Sequence, residues 1–265
     1  MAPAKLGQHF LVNKNIAEKM VRKFFPVQGS ILEIGPGKGI LTGILVKHRD
    51  EQENNIFAVE LDKELYYAIR SEYGEDIEII NRSVLRVELG ELGGSESINL
   101  ISNVPYYISR DIIDWVIHRR DRIGKGMFMM QKEFTDKLIL PGSAKKLNAQ
   151  SLVFNCLFTV TKLFDVYPGS FAPPPKVRSS VFLFEKKKGE ESEPLDIDDF
   201  YLFLKDCFKS RRKTLLNNLT QKYPAEQCWD VFEKTKINPK VRAEQLTLTD
   251  FISIYNNASG RPAGK

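Results

Sequence analysis

Along the first part of the chain, short apolar runs rich in Ile, Val, Leu and Phe alternate with stretches whose apolar residues recur at helical spacing. The runs are SILEI, NIFAVE, IEIIN, INLIS and GMFMM, followed by FTVTKLF and SSVFLF. Strand runs alternating with helical patterns predict a mainly parallel sheet with helices on both faces, because parallel neighbours need a long crossover connection. The last two runs have no helical pattern between them, only DVYPGSFAPPPKVR. They are therefore expected to pair antiparallel at one edge. The fold class is α/β.

The charged run KKKGEESEP, with its Gly and Pro, reads as a linker. It divides the chain into a sheet domain at 1–190 and a smaller helical domain at 195–256, with 257–265 an expected disordered tail. In the second domain, LDIDDFYLFLKDCFKSRRKTLLNNL carries Leu204, Phe208, Leu215 and Leu219 at helical spacing. Lys205, Lys209, Arg212 and Lys213 fall largely on the other side, which predicts one amphipathic helix with a basic face. Lys209, Arg211, Arg212 and Lys213 are the candidate contacts to nucleic-acid phosphates.

With 265 residues and 42% hydrophobic content, the chain can bury a full core. No apolar run approaches the roughly 20 residues that span a bilayer, and MAPAKLGQHF lacks the apolar centre of a signal peptide, so a cytoplasmic protein without membrane contact is expected. Cys156, Cys207 and Cys228 are widely spaced, as are His9, His48 and His118, which supports neither a disulfide framework nor a zinc site. A net charge of +5 and a pI near 8.9 favour a polyanionic partner only modestly.

Chemistry enters with ILEIGPGKGILT, where Glu33, Gly35, Gly37 and Gly39 follow the first strand run and precede a helical pattern. Glycines there let the backbone turn tightly and approach a ligand at the carboxyl end of the strand. The spacing is G-x-G-x-G, so the dinucleotide fingerprint fails at its third glycine, where Ile40 stands. The second run ends AVELD, which puts Glu60 where a carboxylate can accept both hydroxyls of a ribose. An adenosine-type ligand follows from the pair.

The fourth run ends in NVPY, residues 103–106. The exocyclic amine of adenine is a poor nucleophile because its lone pair is delocalised into the ring. The side-chain oxygen of Asn103, with a neighbouring carbonyl such as that of Val104, can accept both amine protons and free that lone pair. Pro105 stiffens the turn, and Tyr106 offers a flat face to a base taken out of its stack. Phe171, on a loop stiffened by Pro173, Pro174 and Pro175, is expected to be held out as the second face of that sandwich.

These motifs, LGQHFL, EIGPGKGILT, NVPYYIS, QKE and FAPPPKVRSSV, followed by RRKTLLNNL and NPKVRAEQL, stand in the order of the KsgA family of small-subunit rRNA adenine dimethyltransferases, which the chain resembles from about Lys5 to Tyr255. The resemblance implies a Rossmann-like, seven-stranded methyltransferase sheet with a small helical domain, and S-adenosyl-L-methionine as cofactor. It implies dimethylation of two adjacent adenines in a hairpin loop near the 3′ end of small-subunit rRNA, with the ribosomal small subunit as partner of a monomeric enzyme. Carried over by motif, His9, Leu11, Gly35, Gly37, Glu60, Ser83 and Asn103 contact the cofactor, while Asn103, Pro105, Tyr106 and Phe171 serve the target base.

Three positions depart from the family pattern. His9 stands where many relatives have Asn, Ser83 where an Asp usually accepts from the cofactor's adenine, and Leu147–Asn148 where relatives carry Tyr-Gly. Erm methyltransferases, which act on large-subunit rRNA, share the glycine loop and the proline-rich Phe loop, but FKSRRKTLLNNL and NPKVRAEQL resemble the KsgA small domain. A non-catalytic assembly or transcription factor on the same fold is the other alternative; the intact Asn103, Pro105, Tyr106 and Phe171 speak against it.

Overall fold

The computed structural model describes residues 8–49, 55–93, 97–139, 147–187, 194 and 196–258. By contacts the chain divides into two compact units, one of Met1–Thr135 with Thr159–Lys186, the other of Asp136–Phe158 with Lys187–Lys265. The segment 136–158 thus clusters with the C-terminal residues, whereas the sequence division had kept it with the sheet. Its helix Ala149–Leu157 buries Ala149, Leu152, Val153, Phe154 and Cys156. The linker reading at 186–194 falls mostly outside the described residues, as does the expected tail at 257–265 apart from residues 257 and 258, which end a helix.

The first unit is built on a seven-stranded sheet. In chain order its strands follow a two-residue β1 (Phe10–Leu11): β2 (Ser30–Ile34), β3 (Ile56–Glu60), β4 (Glu78–Asn81), β5 (Ile98–Asn103), β6 (Ile123–Gln131) and β7 (Phe158–Val166). After a two-residue β8 (Phe171–Ala172) comes β9 (Ser179–Lys186). The spatial order is β4-β3-β2-β5-β6-β9-β7. Strands β2 to β6 pair in parallel, and β9 runs antiparallel to β6. Each of the seven apolar runs became a strand of this sheet, and the last two are neighbours at its edge. Periodicity gave no sign of β1 and β8, which are two residues long and pair antiparallel with Leu11 opposite Phe171.

The helices of this unit follow from their caps and apolar stripes. Asn13 caps α1 (Lys14–Phe24), accepting from the Ile16 amide at 3.2 Å, and Ala17, Met20, Val21 and Phe24 form its buried stripe. Helix α2 (Thr42–His48) follows the glycine loop. Asp62 caps α3 (Lys63–Tyr73) by accepting from the amides of Glu64 and Leu65. Helix α4 (Ser109–His118) follows β5, and α5 (Lys132–Leu138) follows β6. Among the described residues no helix is long and apolar enough to cross a membrane.

The second unit is helical: α6 (Ala149–Leu157), α7 (Ile197–Cys207), α8 (Leu215–Leu219), α9 (Ala225–Thr235) and α10 (Leu248–Ala258). Tyr255 ties α10 to α7 by donating to Asp199 at 2.9 Å, and its ring packs edge-on to Phe200 at 5.2 Å. The single long amphipathic helix expected over 195–219 is not formed. Helix α7 ends at Cys207 and α8 begins at Leu215, because buried Asn218 donates to the carbonyls of Cys207 (2.9 Å) and Ser210 (3.0 Å). Thr214 starts the new helix by accepting from the Asn217 amide. Lys209, Arg211, Arg212 and Lys213 therefore lie exposed on the turn between two helices rather than along a helix face.

At the β6–β9 pair, Gly126 stands opposite Phe184. The Phe184 ring lies across the missing side chain, and a Cβ at position 126 would sit 2.0 Å from Phe184 Cζ. Phe184 is also packed against Phe128 at 5.1 Å, so it has no free space to enter. Gly126→Ala should cost roughly 1–3 kcal/mol of overpacking. Urea unfolding checks it; a wild-type midpoint would show that the ring moves aside freely.

Candidate active site

The order of the sheet positions the site. From β2 the chain moves to β3 on one side, and from β5 to β6 on the other, so the connections leaving β2 and β5 diverge and open a crevice above their carboxyl ends. Ser102 holds the two tips together, its buried hydroxyl donating to the Ile34 carbonyl at 2.6 Å. Above them lies a cavity of about 810 Å³, walled by Gln8–Leu11, Glu33–Lys38, Val59–Leu65, Arg82–Val84 and Asn103–Ile108.

The glycine loop forms one wall. Gly35 donates to the Val59 carbonyl at 2.9 Å, and Gly37 donates to Glu60 Oε2 at 3.2 Å. At Gly37 the backbone has φ of +59°, and a Cβ there would meet the Phe10 ring at 3.1 Å. Both the turn and the approach of Phe10 therefore require glycine.

Glu60 is buried at the tip of β3. Its Oε2 accepts from Gly37 and its Oε1 from the Asp62 amide at 2.9 Å. Burial raises its pKa, against the lowering effect of these amides. The Leu61 amide also holds this carboxylate, which still has room to accept from a ligand hydroxyl. Beneath the loop, Glu33 is fully buried and accepts from the Thr42 hydroxyl at 2.7 Å. Burial pushes its pKa up from 4.5 to about 7, with the Thr42 bond opposing and the Glu60 charge adding to the rise.

Asn103, at the end of β5, uses its side-chain nitrogen to donate to the His9 carbonyl at 3.1 Å. That bond fixes the amide orientation and leaves Oδ1 as the group available to a ligand amine. The Tyr106 hydroxyl pairs with the buried Ser179 hydroxyl at 2.7 Å, and its ring lies 5.5 Å from that of His9. His9 Nδ1 donates to the Pro173 carbonyl at 2.7 Å, so the ring is held between the turn after β5 and the proline loop. Burial raises the Tyr106 pKa, against the Ser179 bond, and the phenol stays neutral.

The structure thus brings His9, Leu11, Gly35, Gly37, Glu60, Ser83, Asn103, Pro105 and Tyr106 around one cavity. Phe171 differs from its expectation. Its ring is not held out by the prolines; it is 4% exposed, does not line the cavity, and packs in the core with Leu11, Met129 and Val166. The cause is the pairing of β8 with β1, which draws the residue inward opposite Leu11.

Among the cavity residues that the sequence reading did not single out are Gln8, Phe10, Asp62 and Tyr107. Asp62 could have been found from its position before a helical pattern, and Gln8 and Phe10 from their place in LGQHFL. Tyr107 gives no local signal beyond being aromatic, yet its ring is 50% exposed at the cavity.

The donor set fits an adenosine-containing sulfonium cofactor. The glycine wall has no side chains to fill the space, Glu60 offers paired acceptors, and Gln8 Oε1 is buried without a hydrogen-bond partner among the described residues.

Comparison with known proteins agrees with this chemistry. The family described as ribosomal RNA adenine dimethylase matches residues 2–259. A ribosomal RNA small subunit methyltransferase A from Mycoplasmopsis pulmonis is 34% identical over 255 residues, 96% of this chain and 98% of the relative. Among solved structures, a dimethyladenosine transferase from Plasmodium falciparum superposes with a TM-score of 0.77 at 23% identity, covering 95% of this chain and 98% of the other. The 23S rRNA methyltransferase ErmE gives 0.69 at 19% identity, covering 94% and 99%. At those identities the two structures speak for the fold alone.

Glu33 makes the site's pH dependence testable. A carboxyl that titrates near 7 in the folded chain and near 4.5 otherwise binds a proton on folding between those values. Its stabilising contribution is complete below about pH 4.5 and is lost as the pH rises through 7, at up to ~1.4 kcal/mol per pH unit. Glu33→Gln should flatten the fall in stability across that window. Urea unfolding of both proteins at pH 5, 6, 7 and 8 measures it; parallel profiles would place the proton uptake elsewhere.

Proposed function

Because this chain belongs to the ribosomal RNA adenine dimethylase family and is an S-adenosylmethionine-dependent rRNA adenine dimethyltransferase, we propose that its target is two adjacent adenines in the 3′-terminal hairpin loop of small-subunit rRNA. The reaction is coupled to maturation of the small ribosomal subunit. The name of the Mycoplasmopsis relative supports the small subunit as substrate.

The observation that carries the site reading is the orientation of Asn103. With its nitrogen committed to the His9 carbonyl, its oxygen stands at the same cavity as the glycine loop and Glu60. S-adenosylmethionine supplies a methyl group carried on a positively charged sulfur. Glu60 accepts the ribose hydroxyls, Gly35 and Gly37 admit the cofactor close to the backbone, and His9, Leu11 and Ser83 complete its surroundings. Asn103 Oδ1 and the Val104 carbonyl accept the two protons of the target amine, which localises the nitrogen lone pair for attack and needs no strong base. Pro105, at φ of −57°, keeps the turn in place. Tyr106, anchored by Ser179 and flanked by His9, gives the base its stacking face.

In the helical unit, exposed Lys209, Arg211, Arg212 and Lys213 contact rRNA phosphates. The Asn218 bonds that hold this turn support a fixed cluster of positive charge rather than a flexible one.

Two predictions separate chemistry from binding. Asn103→Ala should lower methyl transfer to unmethylated small subunits by about 10²-fold, the usual loss for one positioned polar group, while subunit binding survives. Labelled cofactor and mapping of the labelled base check it, and unimpaired transfer in the variant would remove Asn103 from the mechanism. Replacing Arg212 and Lys213 with Ala should weaken subunit binding and reduce the slope of log affinity against log salt by roughly 1 to 2. An unchanged slope would show that this turn meets no phosphate.

A further inference from the structure

Beside the site, the first unit displays an aromatic ring that its core does not use. Tyr167 lies between β7 and β8 and is 59% exposed. The guanidinium of Arg178 lies over its ring at 4.4 Å from the centroid. Exposed Lys176 and Val177 flank the arginine on the same loop, so the ring sits in a positively charged, partly apolar surface.

This surface adjoins the segment that braces the cavity residues Tyr106 and His9. Arg178 is one residue before Ser179, a Cα step of ~3.8 Å, and Ser179 is the residue that holds the Tyr106 hydroxyl. Its backbone is fixed, since the Arg178 carbonyl accepts from the Lys132 amide at 2.9 Å. At the other end of the loop, the Pro173 carbonyl receives His9. The segment that braces Tyr106 and His9 therefore also carries Arg178, whose guanidinium plane packs on the exposed Tyr167 ring.

We propose that Tyr167 and Arg178 form a second base platform, which takes an unpaired nucleobase of the RNA flanking the adenine seated at Tyr106. The inference rests on the reading that Asn103 and Tyr106 receive the target adenine. Three features select the ligand class. Aromatic rings and arginine planes both accept stacked bases without hydrogen-bond readout. The positive loop suits a phosphodiester strand. A target base drawn out of its stack also leaves its neighbour with an open face, which a nearby platform covers. The guanidinium thereby stabilises the base by stacking rather than acting as a point charge, a distinction that lysine cannot reproduce.

The test measures binding of unmethylated small ribosomal subunits over a range of salt for Tyr167→Ala, Tyr167→Phe, Arg178→Lys and Arg178→Ala, with S-adenosylmethionine affinity measured alongside. Tyr167→Ala and Arg178→Lys should each weaken subunit binding about tenfold, equivalent to ~1.4 kcal/mol. Neither should change the salt slope or the cofactor affinity, and Tyr167→Phe should bind like the parent. The proposal is overturned if Tyr167→Ala binds normally. It is equally overturned if Arg178→Lys is silent while Arg178→Ala lowers the slope, which would make Arg178 a phosphate contact only. Asn103→Ala, assayed in parallel for transfer, tells the two readings apart: normal transfer there overturns the adenine site, whereas lost transfer with silent Tyr167 and Arg178 variants overturns the platform alone.

Discussion

The adjacency of β2 and β5, clamped at their tips by the Ser102 hydroxyl on the Ile34 carbonyl, is the constraint on which the rest of the molecule depends. Two parallel neighbours whose chains depart in opposite directions cannot fill the space above their ends. One strand delivers the glycine loop there and the other delivers Asn103. The sheet thus brings the glycine loop and Asn103 side by side at one cavity. Glu60 on β3 completes the arrangement from the next strand out, tied back to the loop through the Gly37 amide.

The same closeness carries an electrostatic cost. Glu33 and Glu60 are both buried near the glycine loop, and burial raises the pKa of each. Glu60 is offset by backbone amides, which is why it can remain an acceptor. Glu33 is offset by Thr42 alone, through its hydroxyl and its backbone, and burial pushes its pKa up to about 7. Local stability is spent here to keep acceptors dry, a common arrangement where a site must hold polar groups away from water.

Much of this was legible in the sequence because it rests on local patterns. Apolar runs of strand length located all seven strands of the main sheet, and the glycine spacing with Glu60 located the cavity. Readings that depended on distant partners fared less well. The inward turn of Phe171 is set by Leu11, far away in the chain, and nothing in FAPPPKVRSS reveals it. The break between α7 and α8 depends on Asn218 reaching two carbonyls, which helical periodicity cannot register because the apolar positions Leu204, Leu215 and Leu219 are buried whether or not the helix is continuous. Tyr107 and Tyr167 show the opposite case, exposed aromatic residues where composition alone suggests packing.

The small ribbon formed by β1 and β8 has a consequence for the order in which the protein is made. Phe10 and Leu11 leave the ribosome early but find their partners, Ala172 and Phe171, only after most of the sheet has been synthesised. His9 likewise waits for Pro173, and Asn103 waits for His9 to be set in place. Long-range closure of this kind comes late, because the entropy of joining distant segments must be met before their contacts reward it. A nascent chain can thus pair its parallel strands before the proline loop that holds His9 has been made. The wall that orients Asn103 is thus among the last parts of the first unit to close, although the residue itself sits on a strand made much earlier.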